Sequence, residues 1–270
     1  MKGWLWFVWI NREKTMMNTA GATFPEEIEE SLAVALAMVA GFLDAYGFIT
    51  YNIYVSFMSG NTTRTGYETG QANFAAAARS VLPIMCFLGG SFAGALLAHS
   101  SVRRIRRLVF GLIAASLVLI IGFTQLGFLS DWVNVAVISF TMGAMNTALS
   151  GVGARSRVAG QTVSLTFVSG TLSRVGMELA LAARRAPLTD GQGPWDTHML
   201  RALRLATIWA GFLVGALLSG AATPRLGVWA LLFPMLTLVA LAAFDRSSSA
   251  QSGRSAEFEE VLGAVESKSI

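Results

Sequence analysis

A single charge, Asp44, lies in the apolar stretch from Ser31 to Thr63. An aspartate at the centre of a membrane helix costs roughly 2.5 to 3.5 kcal/mol on insertion scales, so it needs a partner or a task. Two tasks suit it: a proton or cation site, or one member of an ion pair that switches across an interface. The plain alternative is a static pair, or a protonated carboxyl bonded to a backbone carbonyl. Further on, Ser59 and Gly60 mark a place where a helix can break. Asn61, Thr62 and Thr63 would then stand at a new helix N-terminus, where free amides favour an anion, and Arg64 adds positive charge one turn later. The same residues are ordinary helix caps, so an anion site and a simple turn both remain open. Tyr46 and Tyr51 offer hydroxyls to a polar path, whereas Tyr54 and Tyr67 suit an interfacial aromatic belt equally well.

These residues recur. Val55 to Glu68 reads VSFMSGNTTRTGYE and Leu165 to Glu178 reads LTFVSGTLSRVGME, identical at six of 14 positions. About one match would be expected by chance at ~7% usage per residue type. The matched residues include Ser59 with Ser169, Gly60 with Gly170, Arg64 with Arg174 and Glu68 with Glu178. GSFAGALL from Gly90 aligns with GFLVGALL from Gly211, and GFLDA from Gly41 faces MGAMNTA from Met142, which sets Asn146 opposite Asp44. Each glutamate follows its arginine by four residues. A same-helix ion pair at that spacing is worth only about 0.2 to 0.5 kcal/mol, too little to offset burial in lipid. Glu68 and Glu178 must therefore face an interface, a wet cavity or partners from the other half.

The elements that position these groups follow from composition. Of 270 residues 54% are hydrophobic and 13% charged, against roughly a quarter charged in soluble domains. That excludes an ordinary soluble domain and a disordered chain. A bilayer core needs ~20 apolar residues per helical span. Ser31 to Thr63 supplies one such stretch. Ser80 to Val102, Leu108 to Ser130, Trp132 to Ala154, Leu205 to Pro224 and Leu226 to Phe244 supply five more without a charge. Val158 to Ala183 is apolar but interrupted by Arg174 and Glu178, and would be a seventh. Loop charge decides, because Lys and Arg collect on the cytoplasmic side. Six spans place 11 arginines on one side, among them the RRIRR run, Arg155, Arg157, Arg184, Arg185, Arg201 and Arg204; only Arg64, Arg79 and Arg225 fall on the other. The expectation is an all-α polytopic membrane protein: residues 1–30 cytoplasmic, 31–130 and 132–244 as two three-helix repeats, and 245–270 a disordered cytoplasmic tail. An odd number of spans per repeat inverts the second copy. Inverted repeats with broken helices are a device of secondary transporters.

The remaining signals are weaker. Gly90, Gly94, Gly211 and Gly215 have the spacing that brings helix backbones together, and Pro83 and Pro234 kink or begin spans. Cys86 reads as core, His99 as interfacial. Trp4, Trp6 and Trp9 read as an interfacial anchor, or translation starts at Met16 or Met17. One cysteine and two histidines leave no metal cluster, and no catalytic or nucleotide motif stands out. The reading is accordingly no enzyme, cofactor, metal or nucleic acid.

At GFLDAYGFITYN followed by FMSGNTTRTG the chain resembles the YoaK-like family of bacterial inner-membrane proteins, a domain of unknown function. The resemblance covers residues 32 to 244. Asp44, Ala45, Gly60, Asn61, Met142, Gly143, Asn146 and Gly170 match its motifs, while Ser59, Ser169 and Met145 depart from them. It implies a multi-span protein without settled activity. The expectation is a small-molecule secondary transporter or exporter of the inner membrane, both termini cytoplasmic, its partners the bilayer and an unidentified solute, with room for a homo-oligomer. Its site would be Asp44, Asn61, Arg64, Asn146 and Arg174, with proton coupling through Asp44 and support from Ser59, Gly60, Glu68, Ser169, Gly170, Glu178, Tyr46 and Tyr51. The competing reading is a non-transporting membrane scaffold or sensor.

Overall fold

The computed structural model describes residues 26–98, 102–127, 130–153, 168–188 and 196–243, with side chains for 30–96, 109–127, 130–146, 168–188 and 196–243. The N-terminal anchor, His99, the RRIRR side chains, Arg155, Arg157 and the C-terminal tail lie outside those residues. All regular structure in the described residues is helical: α1 (Glu26–Tyr51), α2 (Met58–Gly70), α3 (Phe74–Ala98), α4 (Val102–Gln125), α5 (Asp131–Gly153), α6 (Val168–Ala183), α7 (His198–Leu226), a 3-10 turn (Gly227–Leu231) and α8 (232–243). Three helical stretches among the described residues, Glu30–Tyr51, Phe74–Leu96 and His198–Ala243, are long and apolar enough to cross a membrane. The apolar segment before Ala183 contributes α6, whose 16 described residues give a helix of about 24 Å at ~1.5 Å per residue. That is shorter than a bilayer core.

The last stretch folds back on itself. The backbone of Phe212 lies against Gly41, and the Phe233 ring stacks on Phe42 with centroids 5.2 Å apart. Twenty-one residues of straight helix would separate those two positions by about 30 Å, so the chain reverses between them. Pro224 and Gly227, the latter at φ 55°, sit at the turn.

Two helix pairs carry the packing, α1 with α7 and α3 with α5. Both run parallel: Glu30, Val34 and Met38 meet Arg204, Gly211 and Gly215, while Arg79, Gly90 and Gly94 meet Trp132, Phe140 and Ala144. In α1 and α7, Gly41 abuts the carbonyl of Phe212 and Gly215 that of Met38. In α5 and α3, Gly143 abuts the carbonyl of Phe87 and Gly90 that of Phe140. The second set is the first shifted by 102 residues between α1 and α5 and by 125 between α3 and α7. This corrects the sequence alignment by one helical turn, since Gly90 corresponds to Gly215 and not to Gly211. Small residues spaced by four match themselves when slid by four, so sequence identity alone cannot choose the register.

Side chains follow the same economy. Leu36, Phe42, Leu43, Tyr46, Phe110, Ile113, Leu117, Ile138, Met142 and Met145 form the core between α1, α4 and α5. Met85, Leu88, Phe92 and Leu96 make a stripe along α3 that is 58 to 66% exposed, the arrangement a lipid-facing helix requires. Cys86, expected in the core, is only half-buried beside this stripe.

A Cβ at Gly41, Gly90, Gly143 or Gly215 would overlap a facing backbone carbonyl, whereas one at Gly111, Gly122, Gly176 or Gly220 meets nothing within 4 Å. Alanine at each of the first four is expected to cost ~1 to 3 kcal/mol or more by overpacking. At the second four it should be neutral or stabilising by up to about 1 kcal/mol. Unfolding of the purified variants in denaturing detergent measures the contrast.

Candidate functional site

The first span does not run unbroken to Thr63. α1 ends at Tyr51 and the chain turns at Asn52, in the left-handed region at φ 55°, a conformation asparagine tolerates. The linker then folds back along α1: a Cβ on Gly47 would come within 2.8 Å of Val55 Cγ1 and 2.9 Å of the Ile53 carbonyl. This carries residues 55–57 to the level of Asp44, three residues before Gly47 and deep in α1. The amides of Val55, Ser56 and Phe57 donate to Asp44 Oδ1 at 3.0, 2.7 and 3.3 Å, and Ser56 Oγ donates to Oδ2 at 2.5 Å. Asp44 is 4% exposed. Its carboxylate thus takes the amides that a helix break frees and places negative charge at the N-terminus of α2.

Asn61 and Arg64 bind the same linker. Asn61 Nδ2 donates to the Tyr54 carbonyl at 2.6 Å, and the Tyr54 amide donates to Asn61 Oδ1 at 3.3 Å. Arg64 donates to the Asn52 carbonyl. The break therefore precedes Ser59 and Gly60, which belong to the first turn of α2, and Gly60 packs against the rings of Phe57 and Tyr54. The hydroxyls of Thr62 and Thr63 bond back to the carbonyls of Met58 and Ser59. The anion site expected at the SG turn meets a competitor already in place, since Asp44 fills the amides leading into it.

α6 repeats α2 in detail. Residues 58–68 and 168–178 share the same succession of exposed, half-buried and buried positions, with Asn61 and Thr171 buried, Ser59 and Ser169 exposed, and Glu68 and Glu178 buried. Both helices end in a left-handed residue, Ala72 or Arg185, under a six-to-one backbone bond. Gly170, like Gly60, lies in the first turn of its helix. The two glutamates face the start of the next helix in their own half, where they were expected to meet a cavity, an interface or the other half. Glu68 accepts from Asn73 Nδ2 at 2.8 Å and lies 3.7 Å from Arg64 Nε. Glu178 Oε2 lies 2.7 Å from His198 Nδ1. Asn73 and His198 are again related by 125 residues. Just before α7, Asp196 receives two bonds from Arg201, at 2.9 and 2.7 Å, and Arg204 reaches Glu30 of α1 at 3.4 Å.

Of the five expected site residues, Asp44, Asn61 and Arg64 converge on one linker. Asn146 and Arg174 have interactions of their own but are not bonded to those three. Tyr46 is fully buried and sets its ring edge-on to Tyr51 at 6.0 Å; Tyr51 faces Asn134 near the start of α5. Sequence reasoning missed Ser56, Asn73, Asn134 and His198. The last two carry buried atoms, Oδ1 and Nε2, without a hydrogen-bond partner among the described residues. The repeat held a usable signal for the pair Asn73 and His198, since each opens the helix after a matched glutamate.

Removing the Asp44 carboxylate strands two buried amides, a half-buried amide and a hydroxyl, each buried group worth about 1 to 3 kcal/mol when left unpaired. Asp44→Ala should lower stability by at least ~3 kcal/mol. Ser56→Ala should cost ~1 to 2 kcal/mol, and the double variant should lose less than the sum. Equal stability of Asp44→Ala and the native chain in detergent unfolding would remove the latch.

Residues 32–244 match the model of a family described as a protein of unknown function, DUF1275. The chain is 28% identical over 215 residues to UPF0700 transmembrane protein RA0705 of Rhizobium meliloti (strain 1021), an alignment covering 79% of this chain and 84% of that protein. No solved structure matches. With its apolar helices and broken first span, this chain belongs to the DUF1275 family of uncharacterised membrane proteins.

Proposed function

We propose that the protein is a small-molecule secondary transporter or exporter of the bacterial inner membrane, built from six spans in two inverted three-helix halves. The observation that carries this reading is the discontinuous first helix, which breaks inside the protein and restarts at the depth of a buried carboxylate. Broken helices of that kind, paired across inverted halves, are where secondary transporters place their sites. Directions of the helices support the inversion. α1 parallels α7 and α3 parallels α5, yet the C-terminal end of α1 meets the N-terminal end of α5 at Tyr51 and Asn134. α4 opposes α5 through Thr124 with Asn134 and Ser116 with Thr141. In this reading the elements related by the repeat, α1 with α5 and α3 with α7, point in opposite directions.

In this reading Asp44, Asn61 and Arg64 hold the hinge, and the solute passes along the α1 and α5 interface beside Tyr46, Tyr51 and Asn134. Those side chains are uncharged, which suits a neutral polar solute. Asn146 and Arg174 serve the corresponding hinge of the second half. A second reading, a non-transporting scaffold or sensor, is favoured by the engagement of both Asp44 oxygens by its own linker.

Transport requires the halves to move against each other, and this separates the readings. In a Cys86→Ser background, cysteines at positions 51 and 134 can be joined by a short bis-thiol reagent across α1 and α5. Proteoliposomes carrying the unlinked variant should accumulate at least one solute from a mixed metabolite pool, followed by mass spectrometry, and bridging should reduce that uptake at least tenfold. Absence of uptake above protein-free vesicles favours the scaffold.

A further inference from the structure

We propose that Glu178 and His198 form a proton-binding site, with His198 Nε2 as the atom that takes up the proton. The assignment of a role in transport coupling rests on the transporter reading, whereas proton binding itself does not.

The pair is buried, with 11% of the imidazole and 8% of the carboxylate side chain exposed. Nδ1 faces Glu178 Oε2 at 2.7 Å. With the carboxylate accepting, Nδ1 carries the hydrogen, and in the neutral ring this leaves the lone pair on Nε2. Nε2 is fully buried and has no hydrogen-bond partner among the described residues. An unsatisfied buried nitrogen costs about 1 to 3 kcal/mol. A proton arriving from solvent on Nε2 turns the ring into an imidazolium facing Glu178, so only one proton moves and no other bond is made or broken.

The first half supplies the control. At the same position after its matched glutamate it has Asn73, whose amide donates to Glu68 at 2.8 Å and does not titrate. The same fold position is a fixed contact in one half and a titratable one in the other. Surrounding charges differ in kind. α6 contributes Arg174, which has its own interactions; α7 contributes Arg201 and Arg204, the approach to α7 contributes Asp196, and α1 contributes Glu30. Asp196 and Glu30 are answered by Arg201 and Arg204, guanidiniums that remain charged at every physiological pH. Glu178 is answered by the imidazole. No third His, Cys, Asp or Glu joins the pair among the described residues. Asp44, the acid singled out by sequence, has both oxygens occupied by groups that do not titrate.

The chain has two histidines, so His99→Gln leaves His198 as the sole imidazole. The 15N-histidine-labelled variant in lipid nanodiscs, followed by NMR from pH 9 to pH 5, should show Nδ1 protonated throughout. Nε2 should pass reversibly from the unprotonated to the protonated resonance in one step. An Nε2 that stays unprotonated to pH 5, or one already protonated at pH 9, overturns the proposal. A second measurement is the thermal midpoint across the same range. His198→Asn, which installs the residue of the first half, should flatten its pH dependence, and an unchanged profile counts against the site. Both readouts are independent of any solute. Titration without solute uptake would therefore leave the proton site standing while the transporter reading fails.

Discussion

A helix broken inside apolar surroundings exposes backbone amides that no solvent can satisfy, and the fold depends on how Asp44 meets that demand. Its carboxylate gathers three successive amides and a hydroxyl from residues 55–57. In doing so it brings the linker back to mid-helix depth and fixes where α2 begins. Every later contact of the first half inherits that position. Thirteen residues of α2 then bring Glu68 to the start of α3, so that α3 enters beside the helix that launched it. The cost of an intramembrane acid is offset locally by hydrogen bonds to both of its carboxyl oxygens, with no cationic partner among the described residues.

The second constraint is the approach of backbones across the two main interfaces. Apolar side chains gain little by leaving lipid for another apolar surface, so membrane helices associate through close packing of small residues. Here six glycines abut carbonyls of the facing helix, three per interface, and four of them, Gly41 with Gly215 and Gly143 with Gly90, repeat one geometry. Arg204 with Glu30 and Arg79 with Trp132 add polar contacts at corresponding ends of the two interfaces. The ion pair and the cation–π contact occupy the same place although their chemistry differs, which indicates that backbone geometry, not the charge, holds the helices together.

How far this was legible in the sequence depended on what kind of information each feature leaves in the chain. Apolar runs and the doubled SG segment are one-dimensional signals, and they gave the helical class, the matched half-helices and the equivalence of Asp44 and Asn146 in the alignment. The break itself was misplaced by several residues. Glycine and serine mark where a chain can bend, but the actual bend at Asn52 is set by a carboxylate eight residues earlier in sequence. Such a through-space bond leaves no periodicity. The site was legible in part: Asp44, Asn61 and Arg64 do converge, whereas Asn146 and Arg174 do not join them, because alignment pairs equivalent positions without bringing them into contact. His198 escaped notice because a lone histidine has no pattern of its own and gains meaning only beside Glu178.

The two matched segments are more informative where they differ than where they agree. The matched exposure of α2 and α6, their common caps and their glycine contacts are what any pair of copies needs in order to fold. Two substitutions lie on top of that shared frame. Where the first half has the acid Asp44, the second has the amide Asn146; where the first half has the amide Asn73, the second has the imidazole His198. Titratable chemistry therefore sits at the mid-helix hinge in one half and at the end of the half-helix in the other. The hinge acid is saturated by its own linker, while imidazole Nε2 has no hydrogen-bond partner among the described residues. Three amides and a hydroxyl account for an acid at the first hinge, whereas an amide already makes the glutamate contact in the first half, so the imidazole is the difference that the shared frame does not explain.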